Sequence, residues 1–313
     1  MYYSEPEAQL NNRQLYCPRG KVQGGSGSIN AMIYMRGQPH DFDDWERAGN
    51  RGWGFRDVLP YFKRLESHPA GDTKYHGSKG KIRISSMKEG AHAICRTFVE
   101  GARQTGFPLT GDFNGEHYEG AGIYDLNARN GERSSSSFEY LHPALSRKNL
   151  RIERNVTVRR VLFDGKRAMG VQASRKGEAL QFRAKREVIM SAGAVDSPKL
   201  MQLSGLGEHA LLAKHGIPVV HELPAVGKNL QDHLCVSFYY RATVKTLNDE
   251  LRPLFGKVKA ALQYLTARKG PLSMSVNQSG GFFKGDTAEA EPNLQLYFNP
   301  LSYRIPKSSK AQL

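Results

Sequence analysis

The sequence predicts a mixed α/β fold that combines an α/β unit with an α+β part of antiparallel character. Two observations carry this prediction. Residues 150–203 show a hairpin pattern followed by a strand, a small-residue turn and a helix, an order typical of an α/β unit. Residues 236–298 mix strand-like alternation with one helical pattern. With 313 residues, 39% of them hydrophobic, the chain is long enough to bury a sizeable core and to form two domains.

Helical spacing of apolar residues is the main signal in the first part of the chain. It predicts a short helix over residues 29–34 and further helices over 55–66 and 91–105. Within the second of these, Pro60 is expected to be tolerable only in the first turn, because it lacks an N–H and clashes with the preceding turn. Residues 106–140 are rich in Gly, Asn and Asp and predict loops.

Strand patterns dominate from residue 150 onward. Alternating residues lead into the turn Asp164-Gly165 and return on its far side, which predicts a β-hairpin. The run Glu-Val-Ile-Met at 187–190 predicts a buried strand that opens onto a helix ending at Leu203. Beyond it, the patterns predict a strand at 236–240, a helix at 254–267 and a strand at 294–298.

Composition favours a globular protein without disulfides. No run approaches the roughly 20 apolar residues of a membrane span, and the first residues show no export signal. We therefore expect no transmembrane segment and a cytoplasmic location, either free or peripheral to a membrane. Three widely spaced cysteines, Cys17, Cys95 and Cys235, argue against a disulfide framework and for a reducing compartment.

The formal net charge of +15 raises nucleic acid or an anionic membrane as a partner, because clustered Lys and Arg release counterions from phosphates. The basic residues, however, lie in short groups such as 159–160, 175–176 and 307–310, mixed with acids. We therefore expect no nucleic-acid partner. A basic binding module stays as an alternative, and it would retain DNA or heparin at physiological salt.

The strongest local motif is the glycine-rich stretch GKVQGGSGSINAM at residues 20–32. Adjacent glycines let the backbone approach a ligand without a Cβ in the way, and a following helix would present N–H groups to an anion. This pattern predicts a phosphate- or nucleotide-binding loop. A tight turn with a serine cap has the same pattern, so the residues alone leave both interpretations open.

Two longer patterns resemble a known family. The glycine-rich stretch, continued by YMRG at 34–37 and DFDDW at 41–45, resembles the first signature of the glucose-methanol-choline (GMC) oxidoreductases. GAVDSPKLMQLSGLG at 193–207 is similar to the second signature, and PAVGKNLQDH follows at 224–233. The resemblance covers nearly the whole chain, and choline dehydrogenase-like members are the most similar. Gln23 departs from the pattern, since the family usually has an apolar residue there.

The resemblance implies an FAD cofactor at the glycine-rich stretch. Carried over by position, the implied flavin contacts are Val22, Gly24, Gly25, Ser28, Asn30, Ala31, Met32 and Ile33. Val158 in the hairpin resembles the residue whose backbone meets the adenine, and an ordinary strand-core residue is the alternative. Residues 191–194 would lie at the carboxyl end of a strand, where ligands of open α/β sheets bind.

The implied fold is an incomplete FAD/NAD(P)-binding-type α/β domain with an α+β substrate domain built on an antiparallel sheet. The FAD-binding domain would be discontinuous and comprise residues 1–50 and 148–235. The substrate-binding domain, also incomplete, would comprise residues 51–147 and 236–313.

Two parts of the family pattern are absent from the sequence. The family begins with a Gly-x-Gly-x-x-Gly turn and an acid that holds the ribose, and neither precedes Cys17. The family's catalytic histidine would follow Leu313, so the resemblance assigns no catalytic residue. We therefore expect a fragment that lacks both termini.

The histidines invite assignment as a base or as metal ligands. His233 follows Asp232, and a neighbouring carboxylate can orient an imidazole. The resemblance instead places this pair at the end of a connection, which favours a structural or capping role. His40, His76, His117 and His142 lie in predicted loops without partners at metal-ligand spacing, so we expect solvated or packing roles and no metal site.

The resemblance thus implies an oxidoreductase that acts on the CH–OH group of a small primary or secondary alcohol. A base would take the hydroxyl proton while hydride passes to the flavin, and the electron acceptor stays open. We expect this chain alone neither to retain FAD tightly nor to turn over alcohol. A catalytically inactive product of a truncated gene is the alternative.

Overall fold

The computed structural model describes residues 2–302. The α-helices of this part are α1 (Pro39–Arg47), α2 (Phe55–Leu65), α3 (Ala93–Gln104), α4 (Gly193–Leu203), α5 (His209–Lys214), α6 (Leu247–Leu251) and α7 (Leu254–Ala267). The strands are β1 (Tyr2–Tyr3), β2 (Tyr16–Cys17), β3 (Glu66–Ser67), β4 (Ile82–Arg83), β5 (Ser85–Ser86), β6 (Gly120–Ile123), β7 (Asp125–Leu126), β8 (Ala128–Arg129), β9 (Glu132–Arg133), β10 (Thr157–Asp164), β11 (Arg167–Arg175), β12 (Glu178–Arg183), β13 (Leu206–Gly207), β14 (His221–Glu222), β15 (Ser279–Phe283) and β16 (Leu294–Phe298).

The predicted helices are present at α2, α3, α4 and α7. The expectation for Pro60 was wrong, because Pro60 is the sixth residue of α2 and lies beyond its first turn. Pro60 has no N–H to donate to the carbonyl of Arg56, one helical turn earlier. Both residues are exposed. Water can therefore satisfy that carbonyl, and the helix continues. The basic group at 307–310 lies outside the described residues.

By their contacts, the described residues form two compact units, 2–147 with 239–302, and 148–238. The first unit is built on an antiparallel sheet with the strand order β16-β15-β6, and helix α3 packs against it. Its core contains a cluster of buried apolar residues: Met87, Phe113, Tyr124, Leu126 and Ala128. The predicted strand at 294–298 is present as β16.

The prediction of loops for residues 106–140 was wrong, because this segment supplies β6 and much of the core cluster. Its glycines suggested turns, but here they allow close packing. A Cβ on Gly122 would lie 2.4 Å from the carbonyl oxygen of Thr110. Glycine in β6 therefore marks a close backbone approach, which sequence patterns do not distinguish from a turn.

Residues 29–34 were predicted to be helical, and this prediction was also wrong. A 3₁₀ turn at Gly25–Ser28 ends before them, and Met32 has a φ of 63°. Tyr34 N then donates to Asp125 O at 2.8 Å, and Asn127 N donates to Met32 O at 2.7 Å. Met32 and Ile33 instead pack against the core cluster from a non-helical chain.

The second unit contains the antiparallel sheet β10-β11-β12, which confirms the predicted hairpin and adds a third strand. Helix α4 packs against β10, where Ser204 Oγ accepts a hydrogen bond of 2.8 Å from Val161 N. Strands β13 and β14 form a short parallel pair on either side of α5 along the chain.

The strands predicted at 187–190 and 236–240 are not formed among the described residues. Ile189 is 78% exposed and Tyr240 is 88% exposed. A strand is stable only when its N–H and C=O groups pair with a neighbour, and within residues 2–302 no strand pairs with either segment. Apolar composition alone was therefore insufficient to predict a strand in these two segments.

Contacts within this chain place residues 2–50 with 51–147. The predicted discontinuous FAD-binding domain groups residues 1–50 with 148–235 by the cofactor they would share. A division by contacts does not address a shared cofactor, so the domain assignment stays a prediction.

Candidate functional site

The glycine-rich loop, defined here as residues 20–33, adopts a conformation that requires glycine. Gly24 has a φ of 88°, and a Cβ there would lie 2.3 Å from Ser28 Oγ and 2.9 Å from Ser137 Cβ. Gly25 has a φ of 58°, but a Cβ there would meet no atom within 4 Å. Gly24 is thus needed for packing within the protein, whereas Gly25 borders open space.

The outer face of the glycine-rich loop is accessible. Val22 and Ile29 are each 54% exposed, and Asn30 and Ala31 are also exposed. Large apolar side chains at this exposure are available to cover a ligand. The open space at Gly25 and these apolar neighbours fit a flat group lying against the loop, as the predicted flavin would.

Two serines hold the loop in shape. Ser26 Oγ accepts a hydrogen bond of 3.1 Å from Gly20 N, and Ser28 Oγ donates one of 2.8 Å to Gln23 O. Gln23, which departs from the family pattern, therefore takes part through its main chain. These hydrogen bonds stabilise the loop, which is exposed and therefore gains little stability from burial.

Arg133 in β9 joins the loop to the rest of the first unit, and the sequence analysis missed it. Its Nη1 donates to Asn30 Oδ1 at 2.6 Å and to Gly27 O at 3.3 Å, while Nη2 donates to Asn30 O at 2.8 Å. Asn30 Oδ1 also accepts Met32 N at 3.1 Å. Burial lowers the pKa of Arg133. These residues lie 103 positions apart, so no local pattern indicates the contact.

A buried ionic cluster begins directly after the loop, and we call it the Glu66 network. It comprises Tyr34, Arg36, Glu66, His68, His76, Asp112 and Asp125. Glu66 is fully buried. One carboxylate oxygen accepts a hydrogen bond from the Tyr34 hydroxyl and lies 2.7 Å from Arg36 Nη2. The other lies 2.9 Å from His76 Nδ1 and accepts Gly77 N at 2.9 Å.

His76 lies between two carboxylates. Its Nε2 is 2.8 Å from Asp112 Oδ2, and its ring stacks on His68 with a centroid distance of 3.7 Å. His68 Nε2 in turn lies 3.3 Å from Asp125 Oδ2. His76 thus has a packing role, one of the two roles expected for it, but its loop context in the sequence gave no sign of these charged partners.

These contacts change the titration of both central groups. Burial alone would raise the pKa of Glu66, but hydrogen bonds from His76, Tyr34 and Arg36 outweigh it and lower the pKa to about 2. Burial alone would lower the pKa of His76, but hydrogen bonds to Asp112 and Glu66 outweigh it and raise the pKa to about 9. At neutral pH the network therefore pairs an imidazolium and a guanidinium with carboxylates.

The network also holds the backbone that leaves the loop. Asn114 Oδ1 accepts Arg36 N at 2.8 Å, and Asn114 Nδ2 donates to Tyr34 O at 3.0 Å. Residues 34–36 are thus bound through both main chain and side chains. We infer that the network sets the position at which the glycine-rich loop ends.

The remaining predicted contact, Val158, lies in the second unit. It pairs with Ala173 of β11 and is 40% exposed. Because β10 is an edge strand, its outer side leaves backbone groups available for main-chain pairing. His233 is exposed, and the Asp232 carboxylate accepts its backbone N–H at 2.9 Å. No helix among the described residues begins or ends at this pair, so the favoured structural or capping role stays a prediction.

Residues 2–302 offer no second candidate site of metal or thiol chemistry. In this range no group of three His, Cys, Asp or Glu side chains is placed to hold a metal ion. Cys17, Cys95 and Cys235 are free thiols. Burial raises the pKa of Cys95 to about 11, which keeps this thiol protonated and unreactive. Over the described helices, length and apolar content fall short of what a membrane crossing requires.

Comparison with known proteins places the chain in the class of FAD-dependent oxidoreductases. The chain belongs to the GMC oxidoreductase family, whose model matches residues 7–235. Oxidoreductases of this family depend on FAD.

Individual relatives agree with this assignment. The chain is 41% identical to mitochondrial choline dehydrogenase from Homo sapiens, over 99% of this chain and 53% of that protein. Pyridoxine 4-oxidase from Mesorbium loti has a similar structure, with a TM-score of 0.81 and 28% identity over 96% of this chain and 55% of that chain. An FAD-dependent oxidoreductase from Chaetomium thermophilum matches with a TM-score of 0.82 and 26% identity, over 90% of this chain and 52% of that one. The chain spans about half the length of the relatives it matches.

The resemblance and the fold class predicted from the two signatures are therefore confirmed. The individual contact residues are not tested by the family match. The assignment of Val22, Gly24, Gly25, Ser28, residues 30–33 and Val158 to FAD stays a prediction.

Proposed function

We propose that this chain forms the flavin-facing loop and part of the substrate domain of an FAD-dependent oxidoreductase acting on the CH–OH group of a small alcohol. The observation that carries the proposal is the glycine-rich loop, where Gly25 borders open space and Val22 and Ile29 are exposed beside it. The similarity of the whole chain to a choline dehydrogenase supports a small alcohol as substrate.

The residues of this chain would position the cofactor and exclude water. The backbone at Gly25 would allow close approach, and Val22 and Ile29 would cover an apolar ring face. Asn30, held by Arg133, would keep its place beside them. When bound, FAD would supply the hydride acceptor for the carbinol carbon. The chain's own residues provide no assigned base for the alcohol proton.

A matched pair of glycine substitutions tests the FAD contact. Gly25 and Gly165 have φ values of 58° and 55°, and a Cβ at either would meet no atom within 4 Å. Asparagine tolerates this left-handed conformation, so Gly25→Asn and Gly165→Asn should both fold. Titration of FAD, followed by its fluorescence, should show at least about a tenfold weaker affinity for Gly25→Asn alone, since 1.4 kcal/mol of lost contact is tenfold.

Equal FAD affinity in both variants and the unmodified chain would contradict the contact. Affinity must be titrated rather than judged from co-purification, because we expect the chain alone to hold FAD weakly. Stoichiometric flavin after purification, with alcohol-dependent reduction of a dye, would contradict the expectation that this chain alone neither retains FAD tightly nor turns over alcohol. The cytoplasmic location also stays a prediction.

A further inference from the structure

Residues 133–139, which we call the contact segment, touch the glycine-rich loop at two places. Arg133, at the start of the segment, binds the side chain and the main chain of Asn30 near the end of the loop. Ser137 lies against Gly24 near the beginning of the loop, where a Cβ on Gly24 would lie 2.9 Å from Ser137 Cβ. Whatever fixes the contact segment therefore fixes both parts of the loop relative to each other.

A closed set of hydrogen bonds anchors the contact segment to β4. Arg83 Nε donates to Glu139 Oε1 at 2.9 Å, and Arg83 Nη2 donates to Glu139 Oε2 at 3.1 Å. Ser134 Oγ donates to the same Oε1 at 2.8 Å and accepts Arg83 N at 2.7 Å. We call Arg83, Ser134 and Glu139 the Glu139 cluster. It holds the segment at both ends, because Ser134 directly follows Arg133 and Glu139 is the last residue of the segment.

The Glu139 carboxylate occupies a position that costs free energy. Its side chain is 10% exposed, and Ser134 is 1% exposed. Burying a carboxylate is unfavourable unless hydrogen bonds and an opposite charge compensate, and a buried ion pair adds little net stability. The forked contact with Arg83, however, fixes the relative geometry of the two groups. The cluster is therefore better explained by the geometry that it imposes than by a gain in stability.

The main chain around Glu139 has an uncommon conformation that directs this side chain inward. Residues Ser137–Leu141 form one π-helical turn. Within this turn Ser137 and Glu139 are buried, whereas Phe138 and Tyr140 are exposed. Such turns are rare and are frequently found at functional sites. The turn thus brings a carboxylate, rather than an aromatic ring, into the Glu139 cluster.

We propose that Glu139 is a positioning residue for the glycine-rich loop. Through the Glu139 cluster it keeps the contact segment against both parts of the loop, so that the loop holds one shape before a ligand binds. Binding to a loop that is already ordered loses less conformational entropy. Where it concerns FAD, this inference rests on the proposed function, whereas the order of the loop itself is independent of the cofactor.

Amide hydrogen exchange of the full 313-residue chain, without FAD, tests the positioning. The two reporters are Gly25 N, which donates to Val22 O at 2.9 Å, and Met32 N, which donates to Asn30 Oδ1 at 3.1 Å. Glu139→Gln should make exchange at both amides about fivefold faster, because both contacts of the segment with the loop loosen.

A milder variant covers the case in which Glu139→Gln does not fold. Ser134→Ala removes the hydroxyl group from the cluster but keeps the ion pair, and it should accelerate the same two amides about twofold. Arg133→Lys changes a single contact with the loop, so it should accelerate exchange at Met32 and not at Gly25. Acceleration at both amides is therefore the signature of the Glu139 cluster.

Two controls separate positioning from a general loss of stability. Glu132→Gln makes the same substitution in β9, at an exposed ion pair with Arg268, and should leave both exchange rates unchanged. Leu247→Ala removes a buried side chain of α6, which lowers the stability of the first unit, and should also leave them unchanged. Unchanged exchange in both Glu139→Gln and Ser134→Ala, or equal acceleration in Leu247→Ala, would overturn the proposal.

A titration of FAD, followed by its fluorescence, separates this inference from the proposed function. Glu139→Gln should weaken the affinity for FAD about twofold to threefold, because the loop spends less time in the binding conformation. If Gly25→Asn weakens the affinity and Glu139→Gln does not, an effect of Glu139 on FAD is refuted while the proposed function stands. If neither variant changes the affinity, the proposed function fails, and faster exchange in Glu139→Gln still assigns Glu139 to the order of the loop.

Discussion

The glycine-rich loop and the Glu66 network are consecutive along the chain but opposite in character. The loop is exposed and held by hydrogen bonds to its own serines and to Arg133. The network, which starts at Tyr34, is buried and held by paired charges. A loop that must leave room for a ligand cannot stabilise itself by burial. Here the neighbouring segment supplies the rigidity that the loop lacks.

The two regions should therefore respond differently to substitution. An exposed hydrogen bond contributes only about 0.5–1.5 kcal/mol, whereas breaking a buried ion pair costs about 3–5 kcal/mol, since a buried charge is left uncompensated. Trp45 and Trp53 both lie in the first unit, so tryptophan fluorescence reports the unfolding of that unit.

The largest effect is expected for Glu66→Gln. The change leaves Arg36, whose side chain is 3% exposed, and His76 without their shared carboxylate. We expect the free energy of unfolding to fall by about 3 kcal/mol, measured by urea titration. Glu132→Gln, which removes an exposed carboxylate 3.5 Å from Arg268, should change it by less than about 1 kcal/mol. Similar values for the two variants would show that burial does not set the cost of losing a paired carboxylate.

The next effect is a loss of stability at alkaline pH. The pKa of His76 is raised from 6.5 to about 9, so its stabilising contribution is complete below pH 6.5 and is lost as the pH rises through 9. We expect the free energy of unfolding to fall by about 2–3 kcal/mol over this range, because one unit of pKa corresponds to about 1.4 kcal/mol. The lowered pKa of Glu66 predicts a separate loss as the pH falls from 4.5 toward 2.

His76→Gln should flatten the alkaline part of that profile, measured by urea titration at several pH values. His142→Gln, at an exposed position, serves as the control and should leave the profile unchanged. If His76→Gln retained the full alkaline slope, another group would be responsible.

A smaller effect is expected inside the loop for Gly24→Ala. Alanine there meets Ser28 and Ser137 in addition to adopting a φ of 88°. We expect a loss of about 2 kcal/mol, against about 1 kcal/mol for Gly49→Ala, whose φ is 101° but whose Cβ would meet nothing within 4 Å. Identical losses in thermal or urea unfolding would show that contact with the two serines is unimportant.

The smallest effect is expected for Arg133→Lys, which keeps the charge but cannot make the forked contact with Asn30. Stability should fall by only about 1 kcal/mol. Amide hydrogen exchange at Met32, whose N–H bonds to Asn30 Oδ1, should become faster. Arg129→Lys, at an exposed position of β8, should leave that exchange rate unchanged.

Sequence patterns predicted elements whose stability depends on near neighbours. Helices α2, α3, α4 and α7 have periodic apolar faces, and the β10–β11 hairpin is closed by its own Asp-Gly turn. Segments whose conformation depends on distant residues were predicted wrongly. Residues 29–34 are not helical because 32–34 pair with residues 125–127, and 187–190 forms no strand because no described strand lies beside it.

The candidate site shows the same difference between features that local sequence patterns predict and contacts that only the folded chain brings together. The sequence by itself determined the family and the glycine positions of the loop, since these depend on residue identity at short spacing. Only the tertiary structure revealed the Glu66 network and the contact of Arg133 with Asn30. Tyr34 and Glu66 are 32 residues apart, and Asn30 and Arg133 are 103 apart. Charged residues that meet across such distances carry no periodicity, because their pairing is decided by how the chain folds.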